Sequence, residues 1–125
     1  MQKLQYESAW DKTISPKDRT LVEETFKHST LNGEPIQFTP LRFDWNYKNE
    51  LLVLVIVHNT TNEDFTFNQT KLSLKDHEVT LAEHIFSTPN LNVEAKTSMP
   101  WTFIFPVGSY VKDQEVKKGI LEITK

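Results

Sequence analysis

Four histidines and seventeen carboxylates are the side chains of this chain best suited to proton transfer or metal binding. His28, His58, His77 and His84 are the histidines. His77 and His84 stand seven apart, preceded by Asp76 and Glu83. In an extended strand that spacing puts them on opposite faces and roughly 23 Å apart. No short zinc-type ligand spacing occurs, so all four read as solvated turn and edge residues. Ser73 or Ser98 could join a histidine and an aspartate as a nucleophilic triad, but no G-x-S-x-G elbow supports one. Glu23–Glu24 and Glu63–Asp64 are sequence neighbours, which usually point apart and serve poorly as an acid–base pair. Gly33, Gly108 and Gly119 are isolated, so no phosphate-cradling loop is present.

The totals narrow the classes further. At 125 residues the chain suits one domain, residues 1–125, with a real core. Its 38% hydrophobic and 25% charged residues are ordinary for a globular protein. The formal net charge is -3, with both signs mixed along the chain, so no basic stripe favours nucleic acid. The lack of cysteine removes thiol catalysis, disulfides and thiolate zinc sites together. "NTT" at 59 and "NQT" at 68 match the glycosylation pattern, which bears only on a secreted eukaryotic protein. "MQKLQYESAWDK" contains no signal-peptide core, and the longest apolar run, "LLVLVIV" at 51–57, is far short of the roughly 20 residues that span a bilayer. The expectation is a soluble, cytoplasmic chain with no transmembrane segment and no cofactor.

The elements that must position these side chains follow from periodicity. "ISPKDRTLVEETFKHST" reads as the one helix, over about 15–28, with Ser15 as N-cap and Pro16 at the first helical position. Leu21, Val22 and Phe26 form its apolar stripe. Asn32–Gly33 makes a turn beyond it. From Ile36 the period becomes two. "IQFTPLRFDW" changes parity at Thr39–Pro40, which predicts a bulge. Further strands are expected at 51–57, Phe65–Phe67, Lys71–Leu74, Val79–Phe86, Met99–Phe105 and Gly119–Thr124, with "TPNLNVEAKTS" as a connecting loop. About seven short strands after one helix indicate a mainly β fold, an antiparallel immunoglobulin-like β-sandwich.

Residues 51–57 are apolar on both faces, whereas a plain sandwich strand is apolar on one. Leu51, Val53, Val55 and Val57 can face the inter-sheet core, leaving Leu52, Leu54 and Ile56 to be covered by something else, or the reverse. The N-terminal helix is the nearest candidate for that cover, and without it the outer face is an exposed patch and an interface. In "TSMPWTFIFP", Met99, Trp101, Phe103 and Phe105 share one parity and make a heavy core strand. Pro100 and Pro106 mark its ends or an edge. The expected core is Leu21, Val22, Phe26, Phe43, Trp45, Val53, Val55, Val57, Leu81, Trp101, Phe103 and Phe105.

Three stretches, "AWDKTISPKDRTLVEETF", "GEPIQFTPLRFDWNYKNELLVLVIVHNTTNEDF" and "NLNVEAKTSMPWTFIFP", together resemble the SLAP domain of Bacillus-type Gram-positive bacteria, over about Trp10 to Ile123. The most telling pieces are "SMPWTFIFP" and the strand-to-turn junction "VIVHNTTN". The resemblance implies a relation to the S-layer assembly protein of an accessory Sec secretion system. There the domain is duplicated; here there is one copy. It supplies no catalytic residues.

The function expected is therefore a non-enzymatic module that binds another protein, in accessory Sec-dependent export or in S-layer or envelope assembly. Its interaction surface is expected at Asn59, Thr60, Asn62, Glu63 and Asp64, beside the Trp101 end of the aromatic strand, and a homodimer through a sheet edge is an option. The alternative is a small-ligand or divalent-cation binding domain using Glu63, Asp64 and Asp76.

Overall fold

In a computed structural model, which describes residues 2–31, 33–110 and 119–124 and leaves aside the side chains of Pro89 and Asn90, the chain opens with a short strand β1 (Lys3–Leu4) and two helices, α1 (Ser8–Thr13) and α2 (Pro16–His28). Strands β2 (Ile36–Trp45), β3 (Leu51–Asn59), β4 (Phe65–Asp76), β5 (Val79–Val93), β6 (Thr97–Phe105) and β7 (Ile120–Ile123) follow. Among the described residues they form a four-stranded sheet, β1-β6-β3-β2, and a three-stranded sheet, β5-β4-β7.

The helix starts where its capping chemistry requires. Ser15 Oγ accepts from the Asp18 amide, and Pro16 occupies the first turn, where an amide would have no partner. A second helix precedes it, which corrects the expectation of one. Glu7 caps α1 through its carboxylate, accepting from the Ala9 and Trp10 amides at 2.8 and 3.2 Å. Gly33, at φ 91°, turns the chain toward β2; Asn32, its partner in the expected turn, lies outside the described residues.

The parity change in β2 is a register shift between Pro40 and Arg42, at the bulge the sequence predicts. Proline lacks a ladder donor and belongs at edges, and β2 is an edge of its sheet. Pro100 lies inside β6, opposite Ile56, and does not end it. It is tolerated because β1 pairs β6 only at Thr97 and Ser98. The two short strands expected at 65–67 and 71–74 are one strand, β4, broken by register shifts around Phe67–Thr70, with Gln69 at φ 48°. The stretch taken as a loop after Phe86 continues β5 to Val93, where Leu91 and Val93 are fully buried. Their alternation with exposed Asn92 outweighs the turn-like composition.

One core joins the sheets. Leu51, Val53, Val55 and Val57 of β3 and Met99, Phe103 and Phe105 of β6 meet Phe67, Leu72 and Leu74 of β4 and Leu81 and Phe86 of β5. Phe103 is its hub, with ring centroids 5.2–6.1 Å from Phe86, Phe67 and Phe38 in tilted and edge-on geometries. Of the other expected core residues, Val22 is buried, while Leu21, Phe26, Phe43 and Trp101 are half-buried. Trp45 is a correction. It is 45% exposed at the end of edge strand β2, where its partner is the Tyr110 ring, edge-on at 4.9 Å.

Truncating the hub, Phe103→Ala, is expected to lower unfolding free energy by about 3–5 kcal/mol, because the lost transfer energy and the cavity add. Urea unfolding against the parent chain measures it.

Candidate functional site

Asn59 ends β3 on the parity of Leu51, Val53, Val55 and Val57, so its side chain enters the end of the core. It is fully buried and fully paired. Its amide donates to Glu63 O at 2.8 Å and Val93 O at 2.9 Å, and its Oδ1 accepts from the Thr61 amide at 3.0 Å and the Thr61 hydroxyl at 2.7 Å. The turn after β3 is thereby locked from inside. Asn59, expected on an interaction surface, is instead a structural tie, for which its parity was the available signal. Thr60 is also engaged: its hydroxyl donates to Glu34 O and Pro35 O, and its carbonyl accepts from Lys96 Nζ at 2.6 Å. Asn62, Glu63 and Asp64 are exposed, and Asp64 Oδ1 accepts from the Ala95 amide.

His58, read as a solvated edge residue, is 1% exposed on the opposite face of β3. Nδ1 lies 2.7 Å from Ser98 Oγ of β6, and Nε2 lies 2.7 Å from Thr39 Oγ1 of β2. Gln2 Nε2 donates to Ser98 Oγ at 3.2 Å and to Asn59 O at 3.1 Å. At the other end, Ser29 Oγ, at the C-cap of α2, is 3.4 Å from Thr39 Oγ1 and donates to Thr25 O at 2.7 Å. Ser29 Oγ also donates the longer bond to Thr39 Oγ1. A neutral imidazole donates from one ring nitrogen and accepts at the other, so His58 donates to one of the Thr39 and Ser98 hydroxyls and accepts from the other. Burial without a nearby charge lowers the His58 pKa from 6.5 to about 4, so the ring is neutral at pH 7.

Ser98 and His58 are thus within bonding distance, but Thr39 rather than a carboxylate orients the ring, and both side chains lie inside the protein. Ser73, the other nucleophile considered, pairs with Glu83 and Thr124. Glu63 and Asp64 precede β4 and Asp76 ends it, a separation of roughly 35 Å along an extended strand. Among the described residues no three histidine or carboxylate side chains come together as a metal site. The cation alternative therefore loses its ligands.

Four exposed apolar side chains lie at the opposite end of the sheet from the Asn59 turn, and Val79, Ile85 and Ile120 are exposed on the other sheet. Trp45, Ile104 and Val107 are 45%, 47% and 60% exposed, and Tyr47, in the β2–β3 turn, is 90% exposed. Register places them at one end of the sheet but on two faces: Trp45 is opposite Leu51, which is opposite Phe105, whereas Ile104 is opposite Leu52. Tyr110 OH donates to Asn49 O at 2.6 Å. Sequence reasoning missed this cluster because Trp45 has core parity and Tyr47 sits in a polar turn.

Two facing sheets, an N-terminal helical segment and a polar tie at the end of the central strand define a small two-layered β domain. The family model for the SLAP domain matches residues 4–121. The chain belongs to the SLAP domain family. Neither a curated protein nor a solved structure matches it. No helix among the described residues is long and apolar enough to cross a membrane.

Removing the tie, Asn59→Ala, takes the buried amide donor from Glu63 O and Val93 O and the acceptor from Thr61. It is expected to cost about 2–4 kcal/mol, against less than about 0.5 kcal/mol for exposed Asn62→Ala. Chemical denaturation of the two variants compares them.

Proposed function

We propose that this chain is a non-enzymatic protein-interaction module working with accessory Sec-dependent export or S-layer assembly, and that the Trp45–Tyr47–Ile104–Val107 end is its contact surface. Membership of the SLAP family supports the setting. The observation that carries the surface is the 90% exposure of Tyr47 beside a half-exposed tryptophan at one end of the sheet. Aromatic side chains offer large contact area at small conformational cost, and they are enriched at the centres of protein interfaces. Strand addition at the edge of the four-stranded sheet is the weaker route, because Pro40 and the bulge interrupt β2. The reading of the two facing sheets as an immunoglobulin-like sandwich, and of the chain as cytoplasmic, belongs to the same proposal.

A Tyr47→Ser, Val107→Ser double variant tests the surface, since neither side chain is buried. Co-purification with accessory Sec components or an S-layer precursor from a Gram-positive host is expected to drop at least about tenfold, as for loss of an interface anchor, with an unchanged melting temperature. Equal recovery by parent and variant would remove this surface, and no recovery by either would remove the setting.

A further inference from the structure

We propose that residues 2–29 form an acid-releasable cover, closed over the outer face of the four-stranded sheet while His58 is neutral and lifted when His58 takes a proton. The device is independent of the contact surface proposed above.

The geometry places His58 at the centre of a hydrogen-bond chain with both ends in this segment. One end is Gln2, beside β1, and the other is Ser29, at the close of α2. The same segment is fastened at two further points of the sheet. Asp18 of α2 pairs with Arg42 of β2 on the outer face at 3.0 Å, and Trp10 of α1 stacks, with centroids 6.3 Å apart, on Trp101, which lies on the inter-sheet side of β6. Beneath it, Ile56 is fully buried and Leu54 nearly so, though neither belongs to the inter-sheet core, and Val22 of α2 is buried with them. These side chains would be wet on an uncovered sheet.

Protonation breaks the chain of donors and acceptors. A charged imidazole donates from both nitrogens. The ring nitrogen that accepted a hydroxyl proton can then no longer do so, and the hydroxyl on that side, Thr39 or Ser98, faces a second donor with its own proton left unpaired. No charge nearby compensates. β6 carries no ionisable group, and β3 carries only His58. On β2, Arg42 is held by Asp18 and Asp44. On β1, Lys3 is 4.0 Å from Glu94. The last turns of α2 hold Glu24, Lys27 and His28, which contact one another at the water-exposed surface. Tyr6, between β1 and α1, lies under the Arg19 guanidinium, and burial, with Glu23 second, pushes its hydroxyl pKa up.

The direction of the effect follows from linkage. The covered ring titrates at about 4, and a hydrated ring titrates near 6.5. Between those values the uncovered state binds more protons, so lowering the pH favours it. From pH 7 to pH 5 the ratio of uncovered to covered molecules rises about 20-fold.

Amide exchange by NMR on the full chain, corrected for intrinsic rates, reads this out. Gln5, whose amide donates to Ser98 O, and Arg19, whose amide donates to Ser15 O, report on the cover. Leu72 and Leu74 report on the other sheet. The expected result is about a 20-fold loss of protection at Gln5 and Arg19 between pH 7 and pH 5. Leu72 and Leu74 should keep their protection, and His58→Gln should abolish the pH dependence. Unchanged protection at Gln5 and Arg19, loss in step with Leu72 and Leu74, or the same pH dependence in a folded His58→Gln protein would each overturn the proposal. Should that variant not fold, the His58 ring ¹⁵N titration in the parent decides. Exchange that does not track ring protonation contradicts the cover.

Discussion

A strand that is apolar on both faces has to be covered twice, and β3 sets that condition for the rest of the chain. Leu51, Val53, Val55 and Val57 face the other sheet, while Leu54 and Ile56 face away from it, and all six are buried. A second sheet can satisfy only one side. The other falls to the N-terminal segment, which reaches the outer face through Asp18 on Arg42 and Ser29 on Thr39. With two layers of sheet and one of helix, a single central strand is enclosed much as a strand of an α/β protein is, although its pairing is antiparallel.

Enclosure on both sides makes the polar end of β3 a problem, because His58 and Asn59 follow the apolar run directly. The two residues solve it on opposite faces. Asn59 turns into the inter-sheet core and satisfies all its bonding capacity against the next turn and β5. His58 turns outward under the N-terminal segment and joins β2, β6 and both ends of that segment. A buried polar group left unpaired would cost about 1–3 kcal/mol, so the networks fix where the turn and the cover sit. The turn's exposed residues are held from beneath, and the exposed aromatic side chains collect at the far end, around Tyr47.

Much of the fold was legible. The helix over 16–28 was marked by Ser15 and Pro16, the β2 bulge by the parity slip at Pro40, and the double-faced strand by seven consecutive apolar residues. Local patterns failed where tertiary pairing decided. Lys3–Leu4 is too short to show a period and is a strand only because β6 offers an edge. Residues 88–93 look like loop by composition, yet Leu91 and Val93 are drawn into the core by β4. The site was less legible. Parity could have turned Asn59 inward, but nothing local distinguishes a buried His58 from an exposed one. Trp45 has the parity of a core residue and misses the core because it lies where the edge strand ends.

Ile56→Ala, compared with parent by urea unfolding at neutral pH, tests the double enclosure most directly, because Ile56 belongs to no inter-sheet contact and is fully buried all the same. The account predicts a loss of about 2–5 kcal/mol, the range for a core isoleucine. A loss below about 0.5 kcal/mol, as at an exposed strand position, would contradict it.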